Sequence, residues 1–184
     1  MTEWMDCSGT AYVNDPAMEL PIDQGLRSDL PQFTTPGLDP SSVADLRRIV
    51  LGRTMLEMVQ EFQNGVVTES AVRRIAYAVP TPNEHSVQLY VCSDELCKLL
   101  ADLDEQRTND VARRWGWGLL RSPRPDAVGP ESLYQLRVRN LQQLIALSRI
   151  ADSTGKKLML RVEYRRHCRN ADSEPARRNE ATRH

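Results

Sequence analysis

Aromatic side chains are scarce in this sequence: two Phe, three Trp and five Tyr make up 5% of its 184 residues. Its core must therefore be built mainly from Leu, Val, Ile, Met and Ala. An excess of one charge is also lacking. Lys and Arg number 24 against 25 Asp and Glu, for a net charge of −1, which argues against a dedicated nucleic-acid coat. No stretch approaches the roughly 20 apolar residues that span a bilayer, so no membrane attachment is expected. There are four cysteines, Cys7, Cys92, Cys97 and Cys168, none at C-x-x-C spacing. No basic segment followed by an apolar run precedes them, so free thiols in the reducing cytoplasm are expected. The phosphate-cradling G-x-x-x-x-G-K-[ST] and G-x-G-x-x-G patterns are missing, as is the G-x-S-x-G nucleophile elbow. Gly116-Trp117-Gly118 has only two of the glycines and opens no helix.

A chain of this length fits one domain and buries enough surface, roughly 70% of what it exposes unfolded, to need neither disulfide nor metal. Residues 1–37 are punctuated by Pro16, Pro21, Pro31, Pro36, Gly9, Gly25 and Gly37. They read as an extended N-terminal arm laid over the core. Asp39 can cap a helix with Pro40 at its first position, and apolar residues then recur at helical spacing to about residue 63, with Gly52 dividing the element. A second helix is read from Thr68 to Val79, although the β-branched and aromatic run Ile75–Val79 also suits a strand. Val87, Leu89 and Val91 alternate, which predicts a strand over 86–91. It feeds a helix capped by Ser93, and Asp104 caps another. Pro130 opens the longest helix, which runs to Thr154-Gly155, and Leu158, Leu160, Val162 and Tyr164 share one face of a closing strand over 158–164. Residues 165–184 are basic and polar and read as a disordered tail. The fold class predicted is α+β and mainly α, with about five helices packed on a short two-stranded β element. The globular domain spans 38–164.

Each candidate chemistry has an ordinary structural alternative. Cys92, Cys97, His85, His167 and Cys168 are the soft ligands available. Cys92 and Cys97 are close enough for zinc, but Cys97 lies among Leu96, Leu99 and Leu100 and suits a core position. No metal or cofactor is expected. A nucleophilic Cys92 served by His85 or His167 needs a spatial meeting that spacing does not reveal. The first 31 residues are acidic and residues 137–169 are basic. These charges can meet partners of opposite sign, lie on solvated faces, or attract one another across the fold. Trp115 and Trp117 stand beside Arg121, Arg124 and Asp126. Of these, Trp117, Arg121, Arg124 and Asp126 form the candidate partner-binding set, because Trp and Arg are favoured anchors of interfaces.

The order of three segments carries a resemblance. They are Leu38-Asp39-Pro40 with Leu46; Tyr90 through Leu96 with Leu103-Asp104 and Val111-Ala112-Arg113-Arg114-Trp115; and Leu141, Ala151 and Gly155 through Val162. In this layout the chain resembles small bacterial α+β proteins of immunity type, which neutralise a cognate secreted toxin. The resemblance implies a non-enzymatic protein that binds a protein partner such as a secreted toxin domain, and it carries over no catalytic or binding residue. Two alternatives belong to other classes. One is a nucleic-acid-binding regulator using the basic 137–169 face, which requires Arg137, Arg139, Arg161, Arg165 and Arg166 to gather together. The other is a small enzyme using Cys92 and His85. The sequence leaves the oligomeric state open.

Overall fold

The computed structural model describes residues 4–15, 26–54, 56–57, 59–60, 71–78, 85–115 and 130–167, with 4–6, 77, 85, 130–133 and 165–167 described by their backbone. Strands β1 (Trp4–Asn14) and β2 (Gln32–Pro36) come first, followed by helix α1 (Pro40–Val50). Strands β3 (Val72–Ala78) and β4 (His85–Cys92) follow. Helices α2 (Asp94–Ala101), α3 (Glu105–Arg114) and α4 (Pro130–Thr154) lead to β5 (Lys157–His167). The five strands form one sheet in the order β2-β1-β5-β4-β3, and every pairing is antiparallel.

The expectation of a mainly helical chain with a two-stranded β element is therefore corrected. Residues 4–14 and 32–36, read as an arm, supply two of the five strands. Residues 165–167, read as the start of the tail, complete β5. The span read as a second helix contains β3, while α1 ends at Val50, just before the Gly52 that the sequence offers as a division.

Each misread segment has a physical reason. In the middle of β1, Ala11, Tyr12 and Val13 are all buried. Both faces of the strand are inside, so it lacks the apolar–polar alternation that marks a half-exposed strand. Small residues on one face weaken its signal further. A Cβ on Gly9 would lie 2.0 Å from the carbonyl oxygen of Leu38, so glycine there allows the backbone before α1 to cross directly over β1. In β3 the pairing register shifts between Arg74 and Ala76. That bulge breaks the period of two on which a strand reading depends.

The helix ends are set by local chemistry that the sequence displays. Asp39 accepts the N–H of Ser42 at 2.7 Å while the Ser42 hydroxyl accepts the N–H of Asp39 at 2.9 Å, closing a capping box. Ser93 and Asp104 cap α2 and α3 in the same manner. Helix α4 ends at Gly155, where φ is +67°. The N–H of Lys156 bonds to Ala151 O, and that of Gly155 to Asp152 O, the paired bonds that stop a helix at a left-handed residue. The chain then turns straight into β5.

All four helices contribute to one core with a single face of the sheet. Ala11, Val13, Tyr90, Cys92, Leu158, Leu160 and Val162 on that face join Val43, Leu46, Leu96, Leu100, Val111, Ala112, Leu141, Leu144 and Leu147. The opposite face is also closed at its centre, where Tyr12, Val87, Leu89, Met159 and Arg161 are buried. Arg149 donates to the carbonyls of Ala101 and Leu103, tying α4 to the end of α2. Arg47 on α1 pairs with Glu95 on α2. No helix among the described residues is long and apolar enough to cross a membrane.

Candidate functional site

The candidate nucleophile and soft ligands lie in the packed interior. Cys92 ends β4 and Cys97 lies on α2, and both are buried. Burial pushes the Cys92 thiol far up, with Cys97 nearby adding to the shift. Burial also pushes Cys97 up to about 11. Both therefore stay protonated at neutral pH and act as small apolar side chains, since the thiolate is the reactive form. His85 opens the strand that Cys92 closes. Seven residues at strand rise separate the two positions by about 23 Å. Met159 pairs with Val91, and His167 lies eight residues further along β5, about 26 Å away at the same rise. Neither histidine position meets Cys92. Among the described residues no three of His, Cys, Asp and Glu come together as a metal cluster; Cys168 lies outside them.

The charges are distributed across the fold. The acidic lead and the basic strip become neighbouring strands, with Asp6 in β1 opposite Arg165 in β5. Arg161 lies on the sheet face away from the helices, where its guanidinium donates to Glu163 at 3.1 Å. Arg137 and Arg139 belong to α4, on the helix side. Of the arginines that a nucleic-acid regulator requires on one face, Arg161 is thus separated by the sheet from Arg137 and Arg139, while the side chains of Arg165 and Arg166 lie outside the described residues. Trp115 is a core residue whose indole N–H donates to the carbonyl of Ser42 at 2.9 Å. Trp117, Arg121, Arg124 and Asp126 lie outside the described residues.

Two cavities in the described core are too small for a substrate. One lies between Thr35, Ser42, Trp115 and Asn140 and measures about 10 Å³. Another, of the same volume, is walled by Ala11, Leu46, Leu96, Leu144 and Leu160. Each has room for about one water molecule. The polar one is closed by Asn140, which donates to the Thr35 hydroxyl at 2.9 Å.

The sheet has two outer edges, and they differ. Strand β2 is five residues long and ends in Pro36, which has no N–H to offer a neighbour. Strand β3 is longer, and among the described residues no strand pairs with its outer side. Its start is tied down where the N–H of Ser93 bonds to Ala71 O at 2.9 Å, with Ala71 buried. Arg73, Arg74 and Ile75 are then exposed in succession, Ile75 at 40%. Arg74 pairs in register with Tyr90, which faces the helices, whereas Arg73 pairs with Val91 on the other face. The two guanidinium groups therefore straddle the sheet edge, one on each side.

Two further exposed apolar residues precede this strand. The chain leaves α1 through Gly52, held there as Arg48 bonds to both Asp45 and the carbonyl of Arg53. Thr54 and Glu57 cap each other at the next helical turn. Leu56 and Val59 on that turn are 66% and 45% exposed. Sequence reasoning missed this edge. The Arg73-Arg74 pair and Ile75 are visible in the sequence, but their place at the rim depends on the order of all five strands.

Compared with protein families, with curated proteins and with solved structures, the chain matches none.

Proposed function

We propose that this chain acts by binding another protein, without chemistry of its own, as an immunity-type inhibitor that covers a cognate bacterial toxin in the cytoplasm. The observation that carries the reading is the outer edge of β3. An edge strand presents a row of backbone N–H and C=O groups that another chain can pair with. Strand addition is a common way for proteins to recognise extended segments. Here the edge carries exposed Ile75 and two arginines. An inhibitor of this kind needs only a complementary surface that blocks its target's working face, with opposite charge speeding the encounter. The reading assigns the chain no metal and no cofactor.

The rival readings have less support. A Cys92 enzyme would need its thiolate near a base, whereas the thiol is buried at the strand end remote from His85. A nucleic-acid regulator would need its arginines on one face, whereas the sheet stands between Arg161 and the pair Arg137 and Arg139.

The test is to capture partners of the tagged full-length chain from the organism that makes it and identify them by mass spectrometry. Each captured protein is then expressed alone and together with this chain. The expected result is one stoichiometric partner that is toxic alone and harmless in the pair. Recovery of nucleic acid alone, or of a partner whose toxicity co-expression leaves unchanged, overturns the proposal.

A further inference from the structure

Two of the cysteines stand where the entry to a helix brings side chains together. Ser93 caps α2, its hydroxyl accepting the N–H of Leu96. Cys92 is therefore the residue before the cap, and Cys97 is the fourth residue of the helix. Apolar residues at these two positions pack against each other and fix the angle at which the chain enters the helix. Both side chains are buried in the one core cluster. They also meet the same part of β5. Val91, next to Cys92, pairs with Met159, and the backbone of the adjacent Leu158 hydrogen-bonds to Cys97. The two sulfurs are close enough for Cys97 to add to the upward shift of the Cys92 thiol.

We infer that Cys92 and Cys97 are a latent disulfide, which a small-molecule disulfide such as oxidised glutathione closes across the entry to α2. The inference stands apart from the reading of the chain as a protein-binding protein. Cys97, the less shifted of the two thiols, reacts first, as the buried first turn of α2 opens. It loses its proton and its sulfur attacks the oxidant, forming a mixed disulfide and releasing one thiol. The Cys92 sulfur then loses its proton and attacks that of Cys97, forming the Cys92–Cys97 bond and releasing the second thiol. The two cysteines are oxidised, and the two electrons reduce the oxidant to its two thiols. Burial opposes the thiolates but not this bond, which bears neither charge nor polar hydrogen. Disulfides become strongly oxidising when their reduced form is stabilised, and high-pKa sulfurs are poor leaving groups. This pair has buried, upward-shifted thiols, so its bond forms slowly and resists reduction once formed. It clamps the four residues Ser93–Leu96, the turn from which Glu95 holds Arg47 of α1.

The experiment uses the full chain with Cys7→Ser and Cys168→Ser, so that only the pair remains. The chain is equilibrated with reduced and oxidised glutathione, once folded and once in urea, and its free thiols are then alkylated. Trypsin cuts after Arg74 and Lys98, so both thiols fall in the single peptide 75–98. Mass spectrometry reads that peptide either as doubly alkylated or as unalkylated and two hydrogens lighter. The disulfide is expected to be favoured at least roughly tenfold more in the folded chain than in urea, because a disulfide stabilises a fold by as much as the fold stabilises the disulfide. The oxidised chain should also melt at a higher temperature than the reduced one. If the double variant fails to fold, the unaltered chain carries the same test, since peptide 75–98 contains neither Cys7 nor Cys168. An equal or weaker preference in the folded chain overturns the inference. So does glutathione left on one cysteine as the end product, a link from either cysteine to another partner, or an oxidised chain that melts below the reduced one.

Discussion

The centre and the rim of this sheet are built on opposite principles. At the centre, β5 is paired on both sides, with β1 and with β4, and its residues are buried on both faces: Leu158, Leu160 and Val162 towards the helices, Met159 and Arg161 away from them. At the rim, β3 is paired on one side, broken by a bulge, and exposes Arg73, Arg74 and Ile75 in a row. A strand in the first setting can hardly change without cost, because each side chain has neighbours on every side. A strand in the second has fewer neighbours, so a change at an exposed position such as Arg73 or Ile75 costs the fold less. Stability thus rests on the centre of the sheet, and under the proposed reading recognition falls to its rim.

Substitutions can break this contrast, and the largest effect should come from the centre. Leu160→Ala removes a side chain that is 1% exposed in the middle of β5, and a loss of about 2–5 kcal/mol is expected from the transfer and cavity costs together. Urea unfolding measures it; a loss below about 1 kcal/mol would mean that β5 is not the centre of the core. Gly9→Ala is next. Its new methyl group would meet the Leu38 carbonyl oxygen at 2.0 Å, so β1 or the entry to α1 must shift, at about 1–3 kcal/mol. A thermal melt unchanged from that of the parent would show that the two segments do not cross so closely.

The third test is alkaline. The Tyr12 hydroxyl is buried and has no hydrogen-bond partner, and burial raises its pKa from the ordinary 10 to about 12, against a smaller lowering by Arg161. A raised folded-state value means that the native form holds its proton more tightly than the unfolded chain. The corresponding stability is therefore complete below pH 10 and is lost as the pH rises towards 12. Tyr12→Phe should be within about 1 kcal/mol of the parent at neutral pH, since no hydrogen bond is broken, and should lose less stability over that alkaline range. Denaturant midpoints at pH 7 and pH 11 provide the check. Smallest of all, Arg73→Glu should alter stability by no more than about 0.5 kcal/mol, as exposed substitutions usually do. A larger loss would place β3 with the centre and deny it the freedom of a rim.

The same contrast explains which parts of the fold were legible in the sequence. Helix boundaries were read correctly wherever capping is a local matter: Asp39-Pro40, Ser93, Asp104, and Pro130 through Gly155. Strand β4 was read because Val87, Leu89 and Val91 alternate, and β5 because Leu158, Leu160 and Val162 do. Strand β1 was lost because Ala11, Tyr12 and Val13 are buried together and its inner face is made of Cys7, Gly9 and other small residues. Strand β2, with Gln32, Thr34 and Pro36, has the composition of a loop and becomes a strand only through its pairing with β1. The candidate site was less legible still. Arg73-Arg74 reads as any charged surface pair until the sheet order shows that nothing described lies beyond β3. The alternative pairing of Cys92 with His85 spans seven residues, a short interval in sequence, yet along a strand it is the width of a small domain.

The position of β5 also has a consequence for how the chain comes into being. On a ribosome β1 emerges first and the strand that separates it from β4 emerges after all four helices. Until then β1 and β4 each present an unsatisfied inner edge, and the two hairpins β1–β2 and β3–β4 have no sheet to belong to. Closing the gap requires contacts between residues as far apart as Trp4 and His167, the long-range kind that slows folding. Until β5 emerges, a chaperone or a neighbouring chain can compete for the place between β1 and β4 that it takes.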